Sequence, residues 1–300
     1  MLRLAMTTDA ETFDRVREPL AARGIAVEHV RAKERSLRVS GGSRVDGGDA
    51  AEGEFEGFDV GFVYPSRLME GAVVDARLSV PWVNDREAVL TSRNKAGVLA
   101  ALDDAGLPTP RTTLVSNPVD EAVVTEAVSS FSYPVVVKPN SATRGVGVAT
   151  AGDLDSLLGV VDYLNLVHDY RATGDKSYLI QEFLPGARDY RAMVVDGAYA
   201  GAVRRELPAE ARERGRWKHN VHRGAEASGV GLPERAREVA ERAAVTLGID
   251  YLGVDLLATD DRLVVTETNA RPTVDAATKY EPDFYDRLAG LIERAAAGEN

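Results

Sequence analysis

Two apolar runs near the end of the 300-residue sequence, GVDLLA (253–258) and LVVTETN (263–269), carry carboxylate and amide groups where core strands rarely do. Glu267 and Asn269 stand two apart, so on a strand they share one face. A turn at Asp260-Asp261 folds the second run back against the first and can bring Asp255 beside them. Three oxygen donors in that setting suit Mg²⁺ (or Mn²⁺), a hard cation that keeps waters or phosphate oxygens in its shell. The plainer alternative is a set of acids facing solvent on an edge strand.

Cations stand at matching places. Only six of the 36 basic residues are lysines, and three of those six, Lys95, Lys138 and Lys218, adjoin motif-like segments. Lys138 ends the strand-like YPVVVK, just before the Gly-containing turn NSATRGVG (140–147). A lysine there reaches a phosphate while backbone N–H groups of the turn cradle it; a solvated surface lysine is the alternative. The run SYLIQEFL stops at Pro185-Gly186, which marks Gln181 to Leu184 either as a simple strand end or as a hinge. A hinge offers backbone groups to an adenine edge and a carboxylate to a ribose. Arg204 ends another strand-like run, and RWKHNVHRGA (216–225) gathers Lys218, His219, Asn220, His222 and Arg223 in a short loop. Such a cluster suits a triphosphate or an anionic transition state, or is merely solvated. The two histidines do not make a zinc site, because no third soft ligand stands at useful spacing.

Elements that can position these groups follow from periodicity. Residues 2–7, helix-patterned 10–23 and extended 26–30 open like a βαβ unit. Strands are expected at 58–64 and 80–83, with a helix over 66–77 between them. This first unit, 1–88, lacks GxGxxG, so a dinucleotide site there is poorly supported. A second unit, 89–185, has a helix over 91–105, strands at 133–138 and 146–150, a helix capped by Asp153 and running through Leu164, and a strand over 177–184. A third unit, 186–300, opens with a hairpin about Asp196-Gly197. It continues through an irregular charged stretch (205–231), a helix over 233–247, the two strands carrying the acids, and a helix over 284–297. The fold class is α/β, with α+β character in the C-terminal part.

Bulk composition narrows the function classes. Apolar residues make up 44% and charged residues 28%, enough for a sizeable core. No cysteine is present, which excludes disulfides, thiolate catalysis and Cys-based zinc sites. A formal charge of −11 disfavours general nucleic-acid binding. No apolar run approaches a membrane span and the N-terminus turns acidic early, so a cytoplasmic protein without membrane attachment is expected. The acid-rich, lysine-poor balance fits either a salt-adapted host or a GC-rich genome that favours arginine codons.

Five segments occur in an order that resembles the ATP-grasp superfamily, and within it the RimK-type alpha-L-glutamate ligase family. They are RNKAGVLAALDDAGLPTP, YPVVVKPNSATRGVGV, LIQEFLPGARDYR, WKHNVHRGA and VDLLATDDRLVVTETNARP. The resemblance is strongest from Asn84 to Pro272. It implies an ATP-grasp fold behind an N-terminal pre-ATP-grasp βαβ domain, with ATP held between the second and third units. It also implies a ligase that joins a carboxylate to an amine through an acyl phosphate, adding an amino acid such as glutamate to a cofactor or protein acceptor.

Carried over by position, Lys95 and Lys138 would contact phosphates, Glu182 and Phe183 adenine, and Asp189 the ribose. Lys218, His219 and Asn220 would line the nucleotide site, Asp255, Glu267 and Asn269 would hold Mg²⁺, and Arg204 would stand near the transferred phosphate. Arg191, Arg204 and Arg271 are candidates to bind an acidic substrate. His219 stands where relatives usually have Thr or Ser, Ala225 replaces a second glycine, and ARPTVDAATKY departs from the Ser-Pro-Gly pattern after Asn269. A homo-oligomer is also implied. Two other classes stay open: a catalytically silent nucleotide-binding regulator of the same fold, and a phosphotransferase that needs no amine.

Overall fold

β1 (Leu2–Met6) buries Leu4, Ala5 and Met6 in succession, as a strand covered on both faces does. It lies between β2 (Ile25–His29) and β3 (Val60–Phe62) and is parallel to both. α1 (Glu11–Ala21) connects β1 to β2 and buries Thr12, Val16 and Leu20 at helical spacing. The expected βαβ opening is present, and α2 (Leu68–Leu78) follows β3. The computed structural model describes residues 1–39, 53–143, 145–167, 175–218 and 224–299.

The expected strand at 80–83 is reduced to one parallel bridge between Trp82 and Gly61, whose missing side chain leaves room for the indole. The single helix expected over 91–105 is two, α3 (Arg86–Arg93) and α4 (Lys95–Asp104). Asn94 divides them: its Oδ1 accepts from the Gly97 N–H at 3.0 Å, an N-cap that restarts the helix. Buried Asn84, just ahead of α3, donates through Nδ2 to the carbonyls of Tyr251 at 2.6 Å and Ala270 at 2.7 Å.

A four-stranded antiparallel sheet runs β4 (Thr112–Val115), β7 (Tyr178–Glu182), β5 (Val135–Pro139), β6 (Ala149–Ala151). One face is covered by α5 (Glu121–Val128) and α6 (Leu154–Val167), which pack Val124, Leu157 and Leu164 against Val135, Val137 and Ile180. Asp153 caps α6 as expected, its Oδ1 accepting from the Ser156 N–H at 2.7 Å. β4 and α5 were not anticipated, and β6 begins at Ala149 rather than at 146 because the turn runs on through Gly147, whose φ is +73°.

The second antiparallel sheet has five strands in the order β10 (Glu226–Val230), β9 (Ala198–Glu206), β8 (Arg188–Val195), β11 (Tyr251–Ala258), β12 (Leu263–Asn269). The 205–231 stretch, expected to be irregular, includes the end of β9, α7 (Ala209–Glu213) and β10. α8 (Glu234–Leu247) presents Ala236, Ala240, Ala243 and Ala244, small enough to lie close on Ala192, Val194, Leu252, Val254 and Leu256. On the opposite face, α9 (Phe284–Ala297) covers Met193, Val195 and Tyr251 and also packs against Leu4, Met6 and Phe62 of the first sheet. Beyond that cover, the same face turns charged. Among the described residues no helix is long and apolar enough to cross a membrane.

Candidate active site

The charged face is set by strand register. Asp255 pairs with Arg191 across β11–β8 and with Glu267 across β11–β12, while Asp189 pairs with Arg205 across β8–β9. The pairing of Asp255 with Glu267 depends on a β-bulge. Leu256 pairs with Val265, so unbroken register would set Thr266 opposite Asp255; the ladder shifts there and Thr266 is the extra residue. Asn269, opposite Gly253, follows on the Glu267 face. The three expected oxygen donors thus share one face of one hairpin. Among the described residues no three His, Asp or Glu side chains cluster as a metal site, since the third donor is an amide.

Asp255 is buried and its two oxygens accept from Arg191 Nε at 2.6 Å and Nη2 at 2.8 Å. Arg205 Nη2 lies 3.2 Å from Asp255 Oδ2, and Arg205 Nε donates to Asp189 Oδ1 at 2.7 Å. Burial by itself pushes the Asp255 carboxyl up, and Arg191 and Arg205 outweigh it, holding the group below the usual carboxylate range. Asp189 shifts the other way: burial raises it, and Arg205 offsets that only in part. Two carboxylates and two guanidinium groups form a near-neutral buried quartet, a combination that tolerates low dielectric where a lone acid does not.

The open face of the four-stranded sheet looks onto this quartet. Lys138 is buried, and its Nζ donates to Gln181 Oε1 at 3.1 Å and across the cleft to the Thr266 carbonyl at 3.2 Å. The bulged residue therefore also receives the lysine. Burial lowers the Lys138 ammonium from 10.5 to about 8, with Lys95 adding to the fall and Glu267 and Asp255 opposing it. Lys95 opens α4, and its Nζ lies 3.6 Å from Glu267 Oε1. The same Nζ donates to the carbonyls of Asn140, at 3.3 Å, and Ala142. Asn140 holds that turn to α4: its Oδ1 accepts from the Ala96 N–H at 2.9 Å and its Nδ2 donates to Asn94 Oδ1 at 3.0 Å.

Glu182 ends β7, and its carboxylate is engaged by Arg262, at 2.7 and 3.1 Å, and by the Arg111 N–H at 2.8 Å. These contacts, led by the hydrogen bond from Arg262, keep its pKa low. The side chain ties the strand end to the β11–β12 turn, which leaves backbone groups as the part of Glu182 suited to a base edge. Phe183 meets Trp217 edge-on at 5.9 Å, and Lys218 Nζ donates to the Val148 carbonyl. Trp217 and Lys218 thus bridge the strand end and the β5–β6 turn. His219, Asn220, His222 and Arg223 lie outside the described residues.

Arg204 stands apart from this cluster. Arg204 pairs with Tyr190 and faces away from Asp189 and Asp255, its guanidinium 3.1 Å from Glu206 Oε2. Strand parity gives the charged face to Arg205. Arg191, a candidate for an acidic substrate, is committed to Asp255. The bulge at Thr266, the Asn94–Asn140 pair and the Arg262–Glu182 pair carried no signal in single-residue spacing, because each depends on which strands meet.

The family model of the RimK-like ATP-grasp domain matches residues 92–284. A probable alpha-L-glutamate ligase from Citrobacter koseri is 31% identical over 220 residues, covering 72% of this chain and 69% of the relative. A ribosomal protein bS6--L-glutamate ligase from Escherichia fergusonii is 30% identical over the same number of residues, 220, covering 72% and 69%. D-cycloserine synthetase DcsG shares the fold, with a TM-score of 0.71 at 20% identity and coverage of 98% of this chain and 99% of that one. With both the domain match and the relatives spanning most of its length, the chain belongs to the RimK-like ATP-grasp family of ATP-dependent ligases.

Proposed function

We propose that this ligase uses ATP and Mg²⁺ to join a carboxylate to an amine, with glutamate as the amino acid added. The observation that carries the reading is a convergence of charge: Lys138 from the four-stranded sheet and Lys95 from the start of α4 meet Glu267 and the buried Asp255 of the five-stranded one. Cations placed opposite carboxylates suit a phosphate chain and its divalent ion. Glu267 and Asp255, with Asn269, are oxygen donors of the right hardness, and a carboxylate held by arginine still has lone pairs to offer. When bound, Mg²⁺ supplies neutralisation of phosphate charge.

In the proposed reaction an oxygen of the substrate carboxylate attacks the γ-phosphorus, and the bond to ADP breaks. The amine then attacks the acyl carbon, loses a proton and expels phosphate. Lys138, Lys95 and Lys218 offset the charge on the phosphates, and preorganised cations of this kind carry most of the work in phosphoryl transfer. Backbone groups at Glu182 and Phe183 meet the adenine edge, Asp189 lies at the ribose end, and His219 and Asn220 line the nucleotide. The acceptor is a small cofactor, an amino acid or a protein tail. The name of the bS6 ligase makes a ribosomal-protein acceptor one arm of the test.

ADP release with Mg²⁺-ATP, across a panel of amino acids and acceptors, tests the proposal. Release that requires both glutamate and an acceptor is expected. Release without any amine would point instead to a phosphotransferase, and tight ATP binding without turnover across the panel would favour a regulator.

A further inference from the structure

Three parts of the chain meet on Glu182, the last residue of β7. Its N–H donates to the Arg111 carbonyl at 3.0 Å and its Oε1 accepts from the Arg111 N–H at 2.8 Å, so main chain and side chain both grip the segment that leads into β4. From the other sheet, Arg262 in the β11–β12 turn donates Nη2 to Oε1 at 2.7 Å and Nη1 to Oε2 at 3.1 Å. That turn is itself fixed. The Arg262 N–H donates to Thr259 Oγ1 at 3.0 Å, and the Arg262 carbonyl accepts from the Thr259 N–H at 2.8 Å. The Glu182 side chain is only 15% exposed, against 44% for Arg262. A partly exposed ion pair contributes little to stability, but a guanidinium forked onto a carboxylate fixes direction as well as distance. The pair is therefore built to orient the end of β7 more than to hold the fold together.

We propose that Arg262 is a positioning residue for recognition of the base: through its fork on the Glu182 carboxylate it sets the main-chain groups of Glu182 and Phe183 against the adenine edge. The inference rests on the nucleotide reading of the cleft. Arg262 acts through Glu182 and needs no contact of its own with the nucleotide. Useful donor–acceptor distances span only about 0.5 Å, so a small drift of the strand end spoils a hydrogen bond to the base. Lys138 and Lys95 share none of the Glu182 contacts, which lets the base end of the cleft be loosened without the phosphate end.

The test uses the full chain, Arg262→Met, Glu182→Gln and the double variant. Calorimetric titration with Mg²⁺-ATP, with adenosine and with Mg²⁺-tripolyphosphate gives the affinities, and melting of the free proteins accompanies it. Arg262→Met is expected to weaken ATP and adenosine by the same factor, about fivefold, the upper end for a partly exposed ion pair. Tripolyphosphate, which has no base, should bind as it does to the parent, and the melting temperature should hold. In the Glu182→Gln background the same substitution should change nothing further, because the effect passes through that carboxylate. ATP affinity unchanged in Arg262→Met overturns the proposal and leaves the nucleotide reading intact. So does an equal loss for tripolyphosphate, which would make the role a general loosening of the cleft, and so does the same loss in both backgrounds. A parent chain that binds no ATP overturns both readings.

Discussion

At the scale of single residues, the site is governed by burial of charge. Lys138 has a folded pKa of about 8 against an ordinary 10.5. Between those values the unfolded chain holds a proton that the folded one has released, so this group makes stability rise with pH across that window. Binding runs the other way, since the neutral amine no longer attracts phosphate. Affinity for ATP, titrated at pH values on both sides of 8, is expected to fall as Lys138 loses its proton, and Lys138→Met should bind weakly with that step absent. Arg205 is the keystone of the quartet. Arg205→Met leaves Asp189 without its partner beside Asp255, which keeps only Arg191, and should destabilise the fold by about 3–5 kcal/mol in urea unfolding. Glu267→Gln keeps the shape but halves the local carboxylate charge, and amine-dependent ADP release should be lost while the melting temperature holds. Near-normal turnover would count against its part in holding the metal.

At the scale of elements, the legible features were those with a local cause. The helix cap at Asp153, the Asp196-Gly197 hairpin and the helix over 233–247 all follow from a few neighbouring residues, and each is present. The features that escaped are those decided by a distant partner. Asn94 divides a pattern that reads as one helix because Asn140 comes to meet it. Arg204 and Arg205 are equivalent in composition, and only pairing with β8 decides which one joins Asp189. Asn84 shows how far such ties reach, holding the start of β11 and the residue after Asn269 from the stretch ahead of α3. Asn84→Ala leaves two buried carbonyls unpaired, at about 1–3 kcal/mol each. A matching loss in denaturant midpoint is expected, with a weaker response to Mg²⁺.

At the scale of the whole molecule, the order of elements and the mixed α/β class were readable, because hydrophobic period and turn chemistry recur along the chain. The way α9 crosses back to cover both the first sheet and the five-stranded one was not, since nothing in a C-terminal amphipathic helix says which surface it will choose. Net charge acts at this scale too. A chain at −11 repels itself, and salt screens that repulsion. Exposed pairs such as Arg23–Asp286 lose little when screened, because such contacts contribute little. Melting in a KCl series is therefore expected to show a rise toward molar salt; a fall would place the ion pairs ahead of the net charge and remove the case for salt adaptation.

The extra residue at Thr266 makes the second half of β12 count out of step with the first. Up to Val265 the strand keeps one parity with β11, and from Glu267 onward it keeps the other. Deleting that single residue would leave a regular ladder with Glu267 still opposite Asp255, but it would take away the carbonyl that receives Lys138. The turn at 259–262 carries Arg262, which holds Glu182, and residue 266 carries the carbonyl for Lys138, so each place ties the hairpin to the other sheet. Descent with insertions and deletions should respect that constraint: ligases of this lineage are expected to hold constant the odd residue whose carbonyl meets the buried lysine.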